Sequence, residues 1–345
     1  MPFLKKIEKN GKKLLIRLIT RLFPGPPEHP DNPIRSVILV RIDERLGNVV
    51  LLNSVIESFI RDRIRITLVL CRRFGEIYAW DRRIKEIIYF EKKKLFNPWN
   101  LFRLYGQLRK NRYDLLFDAS NPNDLSLLTL FVILVIRARI KYGYDRKESR
   151  TILNRAIPVP DRPISIPDYY QRLFHHIRIP FYYQPFLKKI PSAVRNKYRS
   201  LRSGRKRMII AHPGGRGRKQ WDVNKMLELL QKLDKKKYSV LMILGPDEKH
   251  LDRIIRGKGY DVYRLKEIRD LVSLLSIGDI YIGNDSGPMH LAAAMGLSVV
   301  AVFKPKASIV FRPVSRDQKL VITESPFHVS SDLMYRKFKQ LQRSA

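Results

Sequence analysis

Residues 282–296 read Ile-Gly-Asn-Asp-Ser-Gly-Pro-Met-His-Leu-Ala-Ala-Ala-Met-Gly. The apolar run into Ile282 reads as a buried strand, the Ala-rich segment as a helix, and Leu297 to Phe303 as the next buried strand. Strand, polar glycine-containing turn and helix start together make a corner that binds anions. The first helical amides point outward and the dipole favours negative charge there. Ser286 and His290 can add donors. Gly287 lets the backbone approach a ligand closely, and Pro288 suits the first helical position. A nucleotide diphosphate matches such a corner.

The same alternation runs outward in both directions. After Arg207, strands are expected at Met208–Ala211, Tyr238–Leu244, Ile280–Gly283 and Val299–Phe303. Helices are expected at Val223–Leu233, Asp247–Arg256, Lys266–Ile277 and Met289–Met295. An earlier series places strands at Val37–Ile42, Ile64–Leu70, Ile87–Phe90, Tyr113–Phe117 and Arg139–Tyr142. Its helices fall at Asn48–Ile60, Phe74–Trp80, Asn97–Arg109 and Asp124–Ile136. Two such series predict an α/β protein of two Rossmann-like, doubly wound domains facing a central cleft. The stretch 145–205 is basic and proline-broken, with one helix near Asp168–His176, and reads as the connection. The expected division is 1–33 as a basic amphipathic extension and Pro-rich linker, 34–190 as an N-terminal domain, 191–325 as a C-terminal domain, and 326–345 as a tail or helix.

The chain has 345 residues, enough for two ordinary domains, and 44% hydrophobic residues, enough for large cores. Its formal charge is +36. Such a surface predicts a polyanionic partner: nucleic acid, an anionic membrane face or a phosphorylated glycolipid. No recognised nucleic-acid motif accompanies the charge, so nucleic acid is not expected. The single cysteine, Cys71, excludes an internal disulfide and reads as packing beside a strand, in keeping with a reducing cytoplasm. No run of about 20 apolar residues occurs, and no signal peptide is expected at the N-terminus. Residues 1–23 place Ile7, Leu14, Leu15, Leu18 and Leu22 on one helical side with lysines and arginines largely elsewhere. That pattern fits a helix lying on an anionic membrane surface, or one packed on the protein with a solvated charged face.

A second phosphate-facing turn is expected at His212-Pro213-Gly214-Gly215, directly after a strand. Two glycines there let backbone amides reach an anion, and Arg216, Arg218 and Lys219 bring charge. Asp285 has two roles open to it, capping the turn or accepting from a sugar hydroxyl. Glu248, after the strand ending at Leu244, is either a first-turn helix acid favoured by the dipole or a ligand group. Trp221 reads as core. No Gly-x-Gly-x-x-Gly, Walker A or Gly-x-Ser-x-Gly pattern is present, which disfavours dehydrogenase, P-loop and esterase chemistry.

Residues Asn284 to Ala294 resemble the C-terminal signature of family 9 glycosyltransferases, the heptosyltransferases of lipopolysaccharide core assembly. Val40 to Val50 and His212 to Gly215 with Lys219-Gln220-Trp221 resemble two further motifs of that family, in the same order. The resemblance implies a GT-B fold and an inverting, metal-independent transferase. It implies heptose transfer from ADP-heptose to a lipid A–Kdo acceptor at the cytoplasmic side of the inner membrane. The implied partners are a nucleotide sugar, an anionic glycolipid and the membrane surface, with no cofactor and no metal. No Asp-x-Asp triplet occurs, which fits that expectation.

The implied donor-binding residues are Gly214, Gly215, Lys219, Glu248, Asp285, Ser286, Gly287 and His290. The implied catalytic residues are Asp43, Asn48 and Lys219, with the acceptor expected near Asn48 and Asp43 on the N-terminal domain. The family typically reads Gly-Asp where this chain reads Gly47-Asn48, and that Asp is the proposed general base. Asparagine has no titratable carboxylate and cannot take the acceptor's proton. Three readings stay open. Asp43 or Glu44 supplies the carboxylate, Asp43 ranking first although it also reads as a strand-end residue paired to Arg41 or Arg45. Asn48 orients the acceptor while charge stabilisation at the leaving group carries the rate. Or the protein is a catalytically impaired glycolipid-binding relative. Transfer of another sugar to another glycan is a further alternative.

Overall fold

A computed structural model describes residues 32–42, 44–122, 126–146, 152–187, 189–202, 204–215, 220–313 and 317–344, without the side chains of 343 and 344. The expected extension and linker of 1–33 lie outside it almost entirely, as do Asp43 and Lys219.

The described residues form two six-stranded, all-parallel sheets. The first unit contains β1 (Ser36–Arg41), β2 (Arg65–Cys71), β3 (Ile84–Phe90), β4 (Arg112–Asp118), β5 (Arg137–Asp145) and β6 (Arg155–Pro158), in the order β3-β2-β1-β4-β5-β6. The second contains β7 (Arg207–His212), β8 (Tyr238–Leu244), β9 (Asp261–Arg264), β10 (Ile280–Asn284), β11 (Ser298–Phe303) and β12 (Gln318–Ile322), in the order β12-β11-β10-β7-β8-β9. Both orders are the doubly wound one. Each reverses direction once, between β1 and β4 and between β7 and β10, and ligands of such sheets sit beyond the strand ends at that reversal.

The helices used below are α1 (Leu46–Val50), α2 (Asn53–Arg61), α3 (Pro98–Arg109), α4 (Val223–Gln231), α5 (Gly287–Ala294) and α6 (Ser331–Ser344). The central strands are nearly all apolar and buried, as parallel strands covered on both faces must be. Helix α4 starts where Asp222 accepts from the Asn224 amide, and it buries Met226, Leu227, Leu229 and Leu230 against the second sheet. Helix α6 adds Met334, Phe338 and Leu341 to the same core, so the C-terminal stretch is an integral layer of the second unit. In the first unit, Ile38, Val40, Val69, Leu116 and Ile133 share a core with Leu104 and Leu108 of α3.

Chain contacts divide the protein into two compact units, and Arg45–Asn53 groups with the second. That segment explains one departure from expectation. The helix expected over Asn48–Ile60 is interrupted at Leu51-Leu52, giving α1 and α2. The Asn53 side-chain amide donates to the carbonyls of Gln184 (2.7 Å) and Phe186 (3.1 Å), tethering the junction. Similarly, the helix expected over Asp247–Arg256 begins as a 3₁₀ segment, Pro246–Leu251, and turns α-helical at Asp252. Cys71 is buried, and burial raises its thiol pKa.

Candidate functional site

The second unit brings the two glycine turns together. Strands β7 and β10 are hydrogen-bonded neighbours with Gly283 opposite His212, so Pro213–Gly215 and Asp285–Gly287 leave the sheet side by side at its reversal point. Asn284, fully buried, ties one to the other. Its amide donates to the carbonyls of Pro213 (2.9 Å) and Gly214 (3.3 Å), and its oxygen accepts from the Trp221 amide (2.8 Å). Trp221 is fully buried and donates its indole N–H to the Val329 carbonyl (2.8 Å), which makes it core as expected.

Gly214 is required by its surroundings. A Cβ there would lie 2.4 Å from Glu248 Oε1 and 2.5 Å from His212 Cε1. Glu248 thus reaches the first turn from β8. Its Oε2 accepts from the Gly245 amide (2.8 Å) and stands 4.0 Å from His212 Nε2. Burial raises the Glu248 pKa, with the Gly245 amide acting against that rise. Burial also pushes the His212 pKa down to about 4, so this imidazole is neutral at physiological pH. His212 is 4% exposed and its Nδ1 makes no hydrogen bond. An additional cavity of about 760 Å³ opens next to this turn, lined by Gln220, His250, Lys304 and Phe327 among others.

At the second turn, Ser286 is the residue preceding α5, with extended backbone and no side-chain cap bond. The capping role open to Asp285 is therefore not realised. Its carboxylate lies instead 3.8 Å from His290 Nε2, while its amide donates to the Val302 carbonyl. The Ser286 hydroxyl lies 3.3 Å from the Tyr281 hydroxyl. Tyr281 is fully buried, and burial holds its phenol well above the usual range. The Tyr281 ring occupies the space a side chain on Gly283 would need, its hydroxyl 2.9 Å from that Cβ position. Ser286 and Gly287 are partly exposed at the start of α5, the place where helix-start amides suit an anion.

Helix α1 packs on α5 through a pair of glycines. A Cβ on Gly47 would lie 2.5 Å from His290 Cδ2, and one on Gly287 would lie 2.7 Å from Leu46 Cβ. Both glycines permit contact distances that any other residue would forbid. Asn48, 3% exposed, therefore shares the second unit with Asp285, Ser286 and His290. Of the expected site residues, Asn48, Gly214, Gly215, Glu248, Asp285, Ser286, Gly287 and His290 all lie in that unit. Asp43 and Lys219 lie outside the described residues. The roles of Asn284, His212 and Tyr281 were not anticipated. They depend on the β7–β10 register, across about 70 residues of sequence, for which no local pattern exists.

The first unit treats its reversal point differently. Arg41, at the end of β1, is 1% exposed and donates to the Ala119 carbonyl and to the Tyr170 hydroxyl. Asp118, at the end of β4, pairs with Arg146, and both side chains are buried.

Two all-parallel units of one strand order, with an anion-suited double turn on the second, define a GT-B-like protein. Solved structures agree at the level of fold. A family 9 glycosyl transferase from Veillonella parvula superposes with a TM-score of 0.76 at 15% identity, covering 90% of this chain and 97% of that one. The Escherichia coli ADP-heptose lipopolysaccharide heptosyltransferase II gives 0.72 at 18% identity, covering 89% and 99%. The family model of glycosyltransferase family 9 (heptosyltransferase) matches residues 101–333, well over half the sequence, and the chain belongs to that family. It is 22% identical over 230 residues to the lipopolysaccharide core heptosyltransferase OpsX of Haemophilus influenzae. That match spans 63% of this chain and 64% of OpsX, slightly under two thirds of the relative's length.

Proposed function

We propose that this protein is an inverting glycosyltransferase that moves a heptose from ADP-heptose to an anionic glycolipid of the lipopolysaccharide inner core. The observation that carries the reading is the double turn at the ends of β7 and β10, locked by Asn284, in a member of family 9. The donor diphosphate would lie against Gly214, Gly215, Ser286 and the start of α5, with Lys219 adding a cation. Glu248, accepting from Gly245 beside that turn, is suited to a ribose hydroxyl.

In the proposed reaction an acceptor hydroxyl attacks the anomeric carbon as the bond to the diphosphate breaks. The configuration inverts, and the hydroxyl proton passes to a base. The leaving diphosphate gains charge, which the helix start, Ser286 and Lys219 would offset without a metal. Asn48 cannot be the base. Asp43, five residues earlier, is the proposed carboxylate, and Asn48 then orients the acceptor. The net charge of +36 supports a phosphorylated acceptor and work at the cytoplasmic membrane surface. Among the described residues no helix is long and apolar enough to cross a membrane.

Incubation with ADP-heptose and a heptose-free lipid A–Kdo acceptor, followed by acceptor mass, tests the reading. A gain of one heptose is expected, and Asp43→Asn should abolish it. No gain, beside an active control enzyme, would refute the proposed donor–acceptor pair. Asn48 favours a second reading, a glycolipid-binding protein without turnover. Activity that appears only in Asn48→Asp would select that reading.

A further inference from the structure

The first unit carries an exposed aromatic ridge that its core does not use. Helix α3 buries only Leu104 and Leu108, four residues apart, against the unit. Trp99 and Phe102, one turn apart, occupy the outward side with Gly106 a turn further on. They are 79% and 70% exposed, and Phe96, just before the helix, is 92% exposed. Tyr105 and Leu101 flank them, each 38% exposed. The helix is well founded: Asn97 caps it by accepting from the Trp99 amide (2.9 Å), and Pro98 fills its first position. Three large aromatic side chains this open, within seven residues, cost solubility unless something covers them.

Charge identifies the cover. From 92 to 112 the chain has seven cations, Lys92, Lys93, Lys94, Arg103, Arg109, Lys110 and Arg112, and no acid. The nearest acid in sequence, Glu91, is engaged by Lys94 (2.9 Å) and Arg72 (3.3 Å). Arg109 lies over the Tyr105 ring, 5.5 Å from its centroid, at the edge of the ridge. A second copy of this chain would bring the same excess of cations to this segment and be repelled. A bilayer with anionic headgroups matches both parts: aromatic rings settle at the headgroup boundary while lysines and arginines meet the phosphates.

We propose that residues 92–109, with Phe96, Trp99 and Phe102 as the inserting side chains, seat this protein on an anionic lipid bilayer. The seat is distinct from residues 1–23 and does not depend on the transferase reading, because the vesicles that test it need neither donor nor acceptor sugar.

Tryptophan emission gives a direct test in the full-length chain. Of the three tryptophans, Trp221 is buried and Trp80 half-buried, so Trp80→Phe leaves Trp99 as the emitter able to change. Adding phosphatidylcholine–phosphatidylglycerol vesicles should shift the emission to the blue, and brominated acyl chains should quench it. Vesicles of phosphatidylcholine alone should do so far less, and added salt should reverse binding. In a flotation assay, Phe96→Ser/Trp99→Ser/Phe102→Ser should bind the anionic vesicles at least about tenfold more weakly. Its thermal transition should be unchanged, since all three side chains are exposed. Vesicle binding without a shift or quenching of Trp99 would overturn the proposal, since another segment would then be making the contact. Absence of binding by the parent protein, or equal binding by the triple variant, would overturn it as well.

Discussion

The two sheets share one strand order and one reversal point, yet they fill that point in opposite ways. In the first unit the ends of β1 and β4 are occupied by the protein's own charges: Arg41 reaches the Ala119 carbonyl, and Asp118 holds Arg146. In the second, the ends of β7 and β10 carry glycines, a neutral histidine and a buried asparagine that spends all its hydrogen bonds on backbone. Topology alone offers a ligand crevice in both. Side-chain chemistry fills one with a buried ion pair and an arginine bonded to a carbonyl, and lines the other with glycine turns. Mutations in the first should therefore register in stability, and mutations in the second should register also in nucleotide binding.

The largest effect is expected at Asp118. Its pair with Arg146 is nearly dry, with side-chain exposures of 1% and 4%. Asp118→Ala would leave a buried guanidinium without its carboxylate, at a cost of about 3–5 kcal/mol. Chemical denaturation should show that loss, while the surviving folded fraction should bind ADP with unchanged affinity. A clear loss of ADP affinity would break the contrast between the units.

His212 should make the second unit acid-sensitive. Its folded pKa is depressed to about 4 from 6.5, because burial disfavours the imidazolium. The unfolded chain therefore takes up this proton first. The histidine's contribution is fully present above pH 6.5 and is lost as pH falls from there toward 4, by about 3 kcal/mol in all. Glu248, with its pKa raised by burial, has the opposite sign, since its contribution fades as pH rises through its folded value. Stability measured between pH 7 and 4 should decline, and His212→Gln should flatten that decline. An unchanged slope in the variant would remove His212 as its source.

Asn284→Ala should have a smaller effect of two kinds. It leaves the buried Trp221 amide without a partner and takes one of two donors from the Pro213 carbonyl, which keeps the Gln220 side-chain amide, at a cost of about 2 kcal/mol. It also releases the Gly214 turn from β10, so ADP affinity should fall roughly tenfold by calorimetry, an amount equivalent to about 1.4 kcal/mol. Loss of stability with intact affinity would mean that the two turns hold their positions without this tether.

What could be read from the sequence follows from how far each feature depends on distant residues. The central strands are continuous apolar runs such as Val37–Val40 and Val299–Phe303, and these were anticipated to within a residue or two. The edge strands β6, β9 and β12 were missed. They are four or five residues long, only part-buried, and carry residues such as Pro158, Asp261 and Lys319 that a covered strand would not tolerate. At the site, the glycines and Ser286 were legible because a turn between strand and helix has a local signature. The capping role considered for Asp285 passed to no side chain, because Ser286 holds the cap position while its hydroxyl faces Tyr281. Gly47 and Gly287 were readable as glycines, but the reason for them is a contact between helices far apart in sequence.

The finest test of the contrast is Tyr281. Its hydroxyl is 3.3 Å from that of Ser286, a long contact between neutral groups, worth at most about 1 kcal/mol to the fold. Gly283 makes the arrangement possible, since a larger residue two positions along the same strand face would displace the ring. Without the phenol, Ser286 keeps its backbone position but loses the partner that fixes its hydroxyl. Tyr281→Phe should therefore leave the thermal transition nearly unchanged and weaken ADP binding by a few fold. Ser286→Ala should weaken it by a similar amount, and the double variant by no more than either alone, because both remove the same oriented hydroxyl. Strictly additive losses would mean that Tyr281 acts on the site by packing alone, and the proposed anion site at the second unit's reversal point would then rest on backbone and Ser286 without support from the strand beneath.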